Sequence, residues 1–454
     1  MRTDPLPRLV LIGLTIMAVV GCTTATPAKQ PGASAGAEDP NRTPAESGTT
    51  ARLPDAMLLV GRRGESDLHL LYATNGSVVM DLPAGSPRTV SKWDRVVTAT
   101  TDGAATIVDD VAMDQEDRGP QVRIDGHWRL PTVGLDPIPA GRSIDGSTIV
   151  LVAGAYDPSA RASRFAVVEH HLTGAVTTAG DAPLRLLRII TLDGAFEYDT
   201  LSPDGRILYV VQHLDARAGG HYQVRAVDVS TGVMRDAIIV DKTRPGETMA
   251  GSPVAQVRRP DGLVLTIYRG PEHPFIHALN SSEAWAVCID LPAGGVENAA
   301  ASLDWGLASS VDGSSVFAAN ASLGLAVDVD PAGLAIRRSA SIETTAAAPI
   351  VLAKFGHGDV GPVGRRVVAS PDGKLLFAGG ENGVTVIRTA DLSVVRRDLA
   401  GSSIEALGIT PNGAALFFLI RGSGEIVAVD ARTGQRLGTV PGHGFDRLLA
   451  VAPR

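Results

Sequence analysis

The chain has 454 residues, a length that allows two or three ordinary domains or one large closed β-fold. Its formal net charge at pH 7 is −8, which disfavours nucleic acid as a partner because phosphate binding needs a basic surface. Fifty glycines, few aromatic residues and no long apolar pattern of helical period favour short strands joined by turns.

Residues 1–21 have the pattern of a secretory signal peptide. Arg2 and Arg8 form a basic start, and residues 9–20 are an uncharged, largely apolar stretch. A helix that crosses a bilayer needs about 20 apolar residues, so this stretch is too short to anchor the chain by itself. It fits the apolar core of a signal peptide, which is shorter.

A single cysteine, Cys22, follows directly. Residues 19–22, VVGC, resemble the lipobox of bacterial lipoproteins, although Val19 stands where the family pattern often has Leu. The resemblance implies cleavage between Gly21 and Cys22 and attachment of a diacylglyceryl group to the Cys22 sulfur. Two acyl chains are enough for stable membrane anchoring, so we expect a lipid-anchored protein on the extracytoplasmic face of the cell membrane.

The next segment, residues 22–54, is predicted to be a disordered tether. It is rich in Thr, Ala, Pro, Gly and Ser and has no large aliphatic residue before Leu53, so it cannot bury enough apolar surface to offset ordering. If Cys22 is acylated, Cys288 has no disulfide partner. Cys288 lies in the apolar run WAVCIDLP, which favours a buried small side chain over a reactive thiol.

A repeat defined by its turns fills residues 55–454. Segment LSPDGRILYVVQ (201–212) recurs as ASPDGKLLFAGG (369–380) and ITPNGAALFFLI (409–420), with looser copies elsewhere. Asp-Gly and Asn-Gly tolerate the positive φ angles of tight hairpins, so each copy predicts a turn between two strands. A second signature, such as YQVRAVDVSTGVM (222–234) and EIVAVDARTGQRL (425–437), predicts another strand-turn-strand unit.

Eight such units can be counted, and the second, residues 88–131, is the least regular. They start near Ala56, Arg88, Gly141, Phe196, Pro253, Asp304, Arg365 and Ile404. The first unit lacks an opening strand, and the last segment, FDRLLAVAPR (445–454), is a strand without a unit. Pairing these two would close the array and remove its exposed edges. We therefore predict an all-β, closed ring of seven or eight four-stranded units.

This pattern resembles the β-propeller superfamily of bacterial secreted proteins with WD40-like or YVTN-type repeats. The resemblance covers nearly all of residues 56–454. It implies a β-propeller fold whose blades are the repeated units, with the C-terminal strand completing the first blade. The Gly-His and Trp-Asp pairs of standard WD40 repeats do not recur from unit to unit, and the shared residues build turns and packing rather than a site.

Chemical motifs are scarce. The sequence has no phosphate-binding loop, no zinc-binding helix and no paired cysteines, so no catalytic residue, cofactor or metal ligand is predicted. The doublet His170-His171 lies on a predicted strand, where neighbouring side chains face opposite sides. Glu197 and Asp199 fall on one face of a strand and could bind a cation, but a solvated face explains them as well.

Two stretches are candidate ligand sites. In YRGPEHPFIHALN (268–280), Glu272, His273 and His277 follow or flank two prolines, and an acid beside a histidine could bind a ligand or move a proton. The alternative is a rigid exposed loop. Asp304 and Trp305 lie at a junction between units, where a tryptophan can stack on a sugar or simply pack at the edge of the core.

The sequence therefore supports two functional hypotheses. The first is a binding or interaction scaffold at the cell envelope, held to membrane lipid through Cys22 and binding an envelope protein or glycan. The second is an enzyme similar to propeller lactonases or quinoprotein dehydrogenases. Those enzymes need several carboxylates or histidines that converge at the central channel, and no such ring is apparent in the sequence, so the scaffold hypothesis is favoured.

Overall fold

A computed structural model describes residues 52–452 except 63–64, 66, 83–94, 103–104, 117–118, 132–136, 154–156, 158, 171–183, 216–219, 244–248, 271, 293–303, 343–364 and 443. Within these residues the regular elements are β-strands, with no α-helix, which confirms the all-β prediction. In the same residues no helix is long and apolar enough to cross a membrane. Cys22, the signal peptide and nearly all of the tether lie outside them.

The strands form eight sheets, which are numbered as blades 1 to 8 in chain order. Blade 1 contains β1 (Met57–Gly61), β2 (Leu68–Tyr72), β3 (Val78–Leu82) and β32 (Arg447–Ala452). Blade 2 contains β4 (Arg95–Asp102), β5 (Ala105–Glu116) and β6 (Gly119–Pro131). Blade 3 contains β7 (Pro137–Arg142), β8 (Thr148–Ala153), β9 (Ala162–His170) and β10 (Leu184–Asp193). Blade 4 contains β11 (Phe196–Leu201), β12 (Ile207–His213), β13 (His221–Asp228), β14 (Met234–Ile239) and the short β15 (Met249–Ala250).

The second half of the chain forms four regular blades. Blade 5 contains β16 (Ser252–Arg258), β17 (Leu263–Arg269), β18 (Pro274–Asn280) and β19 (Trp285–Asp290). Blade 6 contains β20 (Gly306–Ser309), β21 (Val316–Asn320), β22 (Leu325–Asp330) and β23 (Ala335–Ser341). Blade 7 contains β24 (Val367–Ala369), β25 (Leu375–Gly380), β26 (Gly383–Arg388) and β27 (Val394–Asp398). Blade 8 contains β28 (Ile404–Ile409), β29 (Ala415–Ile420), β30 (Ile426–Asp430) and β31 (Arg436–Thr439).

Each blade is an antiparallel meander in which strands adjacent in sequence pair with one another, and seven blades have at least four strands. Blade 2 has three described strands. Val96 of β4 belongs to the same core cluster as Met57 of β1, and Val97 to the same cluster as Ile149 of β8. Because β1 and β8 are the second strands of blades 1 and 3, β4 occupies the position of a second strand in blade 2. Residues 83–94, which precede β4, lie outside the described part. The count left open by the sequence is therefore eight, and the second unit is the irregular one.

The C-terminal strand closes the ring, as predicted. Strand β32 pairs antiparallel with β1, with Met57 opposite Ala452 and Gly61 opposite Arg447. It occupies the place of a first strand in blade 1, beside the first strand β28 of blade 8. The molecule is thus a closed eight-bladed β-propeller in which both ends of the folded body belong to the same blade. Closure removes the two open sheet faces that a linear array would expose.

The hydrophobic core lies between adjacent blades. Phe417 and Leu419 of β29, for example, pack with Leu58 and Val60 of β1 at the junction of blades 8 and 1. Because the second strand of a blade is covered on both sides, it reads as a continuous apolar run instead of alternating with polar residues. MLLVG in β1 and ALFFLI in β29 are such runs, and nearly all their side chains are buried.

The ring has two faces. The top face is defined as the face at which the first strands of the blades begin. These first strands are β7, β11, β16, β20, β24 and β28. Since the strands of a blade are antiparallel, the top face also carries the loops between second and third strands and the connections between blades. The bottom face carries the hairpins between first and second strands and between third and fourth strands, which contain the Asp-Gly turns and the Thr-Gly turns respectively.

The bottom-face turns have the conformation that the repeat predicts. In the turn of blade 4, Gly205 has φ +70° and its amide donates to the Ser202 carbonyl at 2.9 Å, while the Ser202 hydroxyl donates to Asp204 Oδ1 at 2.7 Å. The same serine-to-aspartate bond recurs in blade 6, where Ser310 and neighbouring donors lower the pKa of Asp312 to about 2. The turn aspartates are therefore bound locally and are not candidates for catalysis.

Candidate functional site

A partly buried cluster of charged and polar side chains lies on the top face, where the first strands of blades 6, 7 and 8 begin. We call it the top-face ion network. Its members are Asp304, Ser322, Arg366, Glu381, Ser403, Glu405 and Arg421. Asp304 was a candidate from the sequence, whereas the other six were missed.

Asp304 is the centre of the network and is only 2% exposed. It lies just before β20, and its Oδ1 forms an ion pair with Arg366 at 2.9 Å and accepts a hydrogen bond from Arg421 at 3.2 Å. The hydroxyl of Ser322 donates to its other oxygen at 2.5 Å. Both carboxylate oxygens of this candidate are therefore engaged by side chains of blades 6, 7 and 8.

Arg421, in the loop after β29, uses all three guanidinium nitrogens. Its Nε donates to Glu405 at 2.6 Å, and its other nitrogens reach Glu381 and Asp304. Burial alone would lower the pKa of Arg421, but the three carboxylates around it raise the pKa above its ordinary value. The guanidinium is thus permanently charged and held in one orientation.

Further hydrogen bonds within the described residues connect the members of the network. Ser403 donates to Glu381 at 3.0 Å, the Glu381 amide donates to Ser322 at 3.0 Å, and Arg366 also donates to the Ile404 carbonyl at 2.9 Å. The bonds between the acids and the arginines are charge-assisted, so they restrain the loops that carry them. The arrangement can therefore hold the inner ends of three blades in register and give the top face a defined shape.

Trp305, the neighbour of Asp304, lies beneath the network. Its side chain is 1% exposed and packs in the core between blades 5 and 6 with Leu307 and Ile289. Its indole Nε1 has no hydrogen-bond partner among the described residues. The structure therefore places the ring in the core and not on the surface, where it could stack on a sugar.

The other candidate stretch forms the top-face loop of blade 5. Glu272 is exposed there, and His273 is half-buried with its Nε2 3.0 Å from Asp290 Oδ1 at the end of β19. Pro271 lies outside the described residues. Glu272 and His273 thus share the top face with Asp304, but no contact joins the two groups in the described structure.

His277 is separated from these neighbours because it lies within β18. It is 1% exposed, its ring meets Tyr268 edge to face, and its Nε2 has no hydrogen-bond partner among the described residues. Burial lowers the pKa of His277 to about 4, although the nearby carboxylate of Asp241 opposes the shift. The imidazole is therefore neutral at physiological pH.

A polar layer crosses the interior between blades 4 and 5 and includes other residues noted in the sequence. Gln256 Nε2 donates to Asp199 Oδ1 and to Thr266 Oγ1, each at 3.0 Å. His277 lies opposite both Thr266 and Cys288 in the sheet, and Cys288 is half-buried. The expected buried position of Cys288 is thus only partly realised, and Asp199 is buried rather than solvated.

No metal centre emerges from the described residues. Among them, no group of three or more His, Cys, Asp or Glu side chains is placed to hold a metal ion. His171 is not described, and for His170 only the backbone is. Glu197 has a histidine partner, His213, at 3.5 Å.

The missed residues carry weak sequence signals. Glu381 and Arg421 each follow the apolar second strand of a blade directly, in AGGENG and LIRGSG, and Arg366 and Glu405 stand at the start of first strands. Equivalent positions in successive units meet on the top face once the ring is closed. The repeat could therefore have located them, but it could not show that they pair.

Comparison with known proteins shows no family for this chain. No protein-family model matches the chain, and no curated protein matches it. Among solved structures, Citrobacter koseri AztD is 12% identical, with a TM-score of 0.49 over 88% of this chain and 98% of that one. A periplasmic gluconolactonase of Pseudomonas aeruginosa, PpgL, is 14% identical, with a TM-score of 0.43 over 88% and 98%. At these identities the likeness concerns the fold alone.

Proposed function

We propose that the protein is a lipid-anchored, extracytoplasmic β-propeller that acts as a binding scaffold at the cell envelope. In this proposal Cys22 carries the acyl chains, residues 22–54 act as the tether, and the top face binds an envelope protein or a glycan. The enzymatic alternative raised by the sequence stays a prediction.

The observation that carries the proposal is the top-face ion network. Its acids and arginines bind one another across blades 6, 7 and 8, and these bonds restrain the loops that carry them before any partner arrives. A surface that is ordered in advance binds without the entropic cost of ordering its loops. This supports a fixed recognition surface around the channel mouth.

The anchor is tested by Cys22→Ala, with Cys288→Ala as the matched control. In a bacterium that processes lipoproteins, we expect the wild type and Cys288→Ala in the membrane fraction, with an acylated N-terminal peptide in the mass spectrum. Cys22→Ala should lack the acyl group and leave the membrane fraction or stay unprocessed. Acylation and membrane fractionation that persist in Cys22→Ala would overturn the anchoring part of the proposal.

The recognition face is tested by placing a photo-crosslinking residue on either face of blade 8 in intact cells. Ser423 lies in the top-face loop after β29, and Ala414 lies in the bottom-face turn before it; both are exposed. We expect a discrete cross-linked adduct from position 423 and none from position 414. Adducts of equal yield from both positions, or from neither, would contradict a top-face binding surface.

A further inference from the structure

The outer edge of blades 6 to 8 is rich in arginine, although the chain as a whole is acidic. Residues 52–55, 328–341, 388–398 and 430–439 contain eight arginines and six aspartates, against a formal net charge of −8 for the chain. These residues form the outer strands β23, β27 and β31, the hairpins before them and the start of the folded body.

Several of these arginines have structural roles inside the edge. Arg338 pairs with the buried Asp328 and donates to the Thr389 carbonyl in the next blade at 3.2 Å. Arg396 pairs with Asp398 at 3.0 Å and reaches the hairpin of blade 8. These contacts neutralise the buried aspartates and make the outer edges of the three blades continuous.

Arg337 pairs with Asp328 and Asp330, and the other five arginines are exposed. We call the exposed set the arginine edge: Arg52, Arg388, Arg397, Arg432 and Arg436. Arg388 has an exposed partner, Asp391, at 3.3 Å, whereas the described structure shows no carboxylate within 4.0 Å of Arg397 or Arg436. Their charges are therefore available to an anionic surface.

Apolar side chains stand among these charges. Val394 and Val395, in the same strand as Arg397, are 39% and 44% exposed. Exposed aliphatic groups flanked by arginines suit the boundary between lipid headgroups and acyl chains, where both kinds of side chain are stabilised.

The chain leaves the folded body at this same edge. Leu53 packs against the core shared by blades 8 and 1, its side chain lies beside Gly438 of β31, and the exposed Arg52 precedes it. The proposed tether, residues 22–54, therefore joins the folded body beside the arginine edge.

We propose that the arginine edge docks on anionic phospholipid headgroups of the membrane to which the chain is anchored. This inference rests on the proposed anchoring, which supplies the high local concentration of membrane. Each arginine near an anionic leaflet adds a modest attraction, so the edge orients the anchored body without binding tightly alone. The edge consists of outer strands and their hairpins and does not include the top-face loops, so docking leaves the top-face ion network uncovered.

The test uses the full mature chain, residues 22–454, with Cys22→Ser so that no acyl chain contributes. Co-sedimentation is measured with vesicles of phosphatidylcholine alone or mixed with phosphatidylglycerol. We expect binding only to the anionic vesicles, weakened by added salt. The variant Arg397→Glu/Arg436→Glu should lower that binding by about tenfold or more.

A matched control separates docking from bulk charge. Arg164 and Arg206 are exposed on blades 3 and 4, so Arg164→Glu/Arg206→Glu changes the net charge equally. We expect the control to bind as the parent does, and melting curves to show all proteins folded. Equal losses in both variants, no preference for anionic vesicles, or binding to soluble polyphosphate but not to vesicles would overturn the proposal. The Cys22→Ala fractionation result is independent of all these outcomes.

Discussion

At the scale of single residues, His277 is the clearest buried titratable group outside the ion network. It keeps a neutral imidazole inside blade 5 with an unpartnered Nε2, and its folded-state pKa of about 4 lies below the ordinary value of 6.5. The unfolded chain therefore takes up a proton at higher pH than the folded chain does. The contribution of His277 to the free energy of unfolding is therefore complete above pH 6.5 and is lost as the pH falls towards 4.

We predict that His277→Gln flattens the dependence of unfolding free energy on pH in that window. The wild type should lose roughly 3 kcal/mol between pH 6.5 and 4 from this group alone. The exposed His221 is the control, and His221→Gln should retain the wild-type slope. Urea unfolding at a series of pH values measures both slopes, and an unchanged slope in His277→Gln would refute the assignment.

Two turn glycines separate backbone strain from steric fit. Gly205 and Gly373 occupy equivalent turns with φ near +70°, but a Cβ at Gly205 would overlap the Thr148 side chain of blade 3, whereas a Cβ at Gly373 meets nothing within 4 Å. We predict that Gly373→Ala costs about 1–2 kcal/mol from positive φ alone. Gly205→Ala should cost about 1–3 kcal/mol more because of the overlap. Equal melting temperatures would rule out the tight contact between blades 3 and 4.

At the scale of elements, the top-face ion network joins strands from three blades through Arg421. Removing one partner of a buried ion network leaves the opposite charges uncompensated, at a cost of about 3–5 kcal/mol when burial is complete. Because the side chain of Arg421 is 31% exposed, we expect Arg421→Met to cost about 2–3 kcal/mol.

The matched control for this prediction is Arg388→Met, which removes an exposed pair with Asp391 worth at most about 1 kcal/mol. Thermal unfolding of both variants gives the comparison. If Arg421→Met is no more destabilising than Arg388→Met, the network does not tie the blades together.

The repeat made the strands and their turns predictable, and the reason is physical. The Asp-Gly and Thr-Gly turns need specific backbone angles, and covered second strands such as β29 need continuous apolar runs, so both can be recognised from local sequence. The contacts between units have no such local sequence pattern. Arg421 meets Asp304 across 117 positions of sequence, and each residue alone is an ordinary loop charge.

The candidate site was therefore predictable only in part. Asp304 was identified because it stands beside a rare tryptophan, not because of its arginine partners. Trp305 and His277 looked like ligand-binding residues because tryptophan and histidine are uncommon in this chain, yet both lie in the core between strands. Burial depends on which blades meet, and that follows from ring closure and not from local spacing.

At the scale of the whole molecule, one short strand accounts for the closed ring. Val451 and Leu448 of β32 pack in the core shared by blades 8 and 1, and the pairing of β32 with β1 joins the two ends of the body. Eight similar blades without this strand would present two uncovered faces. Closure also fixes the position of Leu53 and hence the edge from which the proposed tether extends.

The most direct test of this account is amide hydrogen exchange of β32 in the intact chain. If the ring is closed, the amides of Arg447–Ala452 that bond to β1 should be protected as strongly as those of Met57–Gly61, and both sets should exchange together. Exchange of the β32 amides at the rate of an unstructured peptide, with the other blades still protected, would contradict a ring closed by the C-terminal strand.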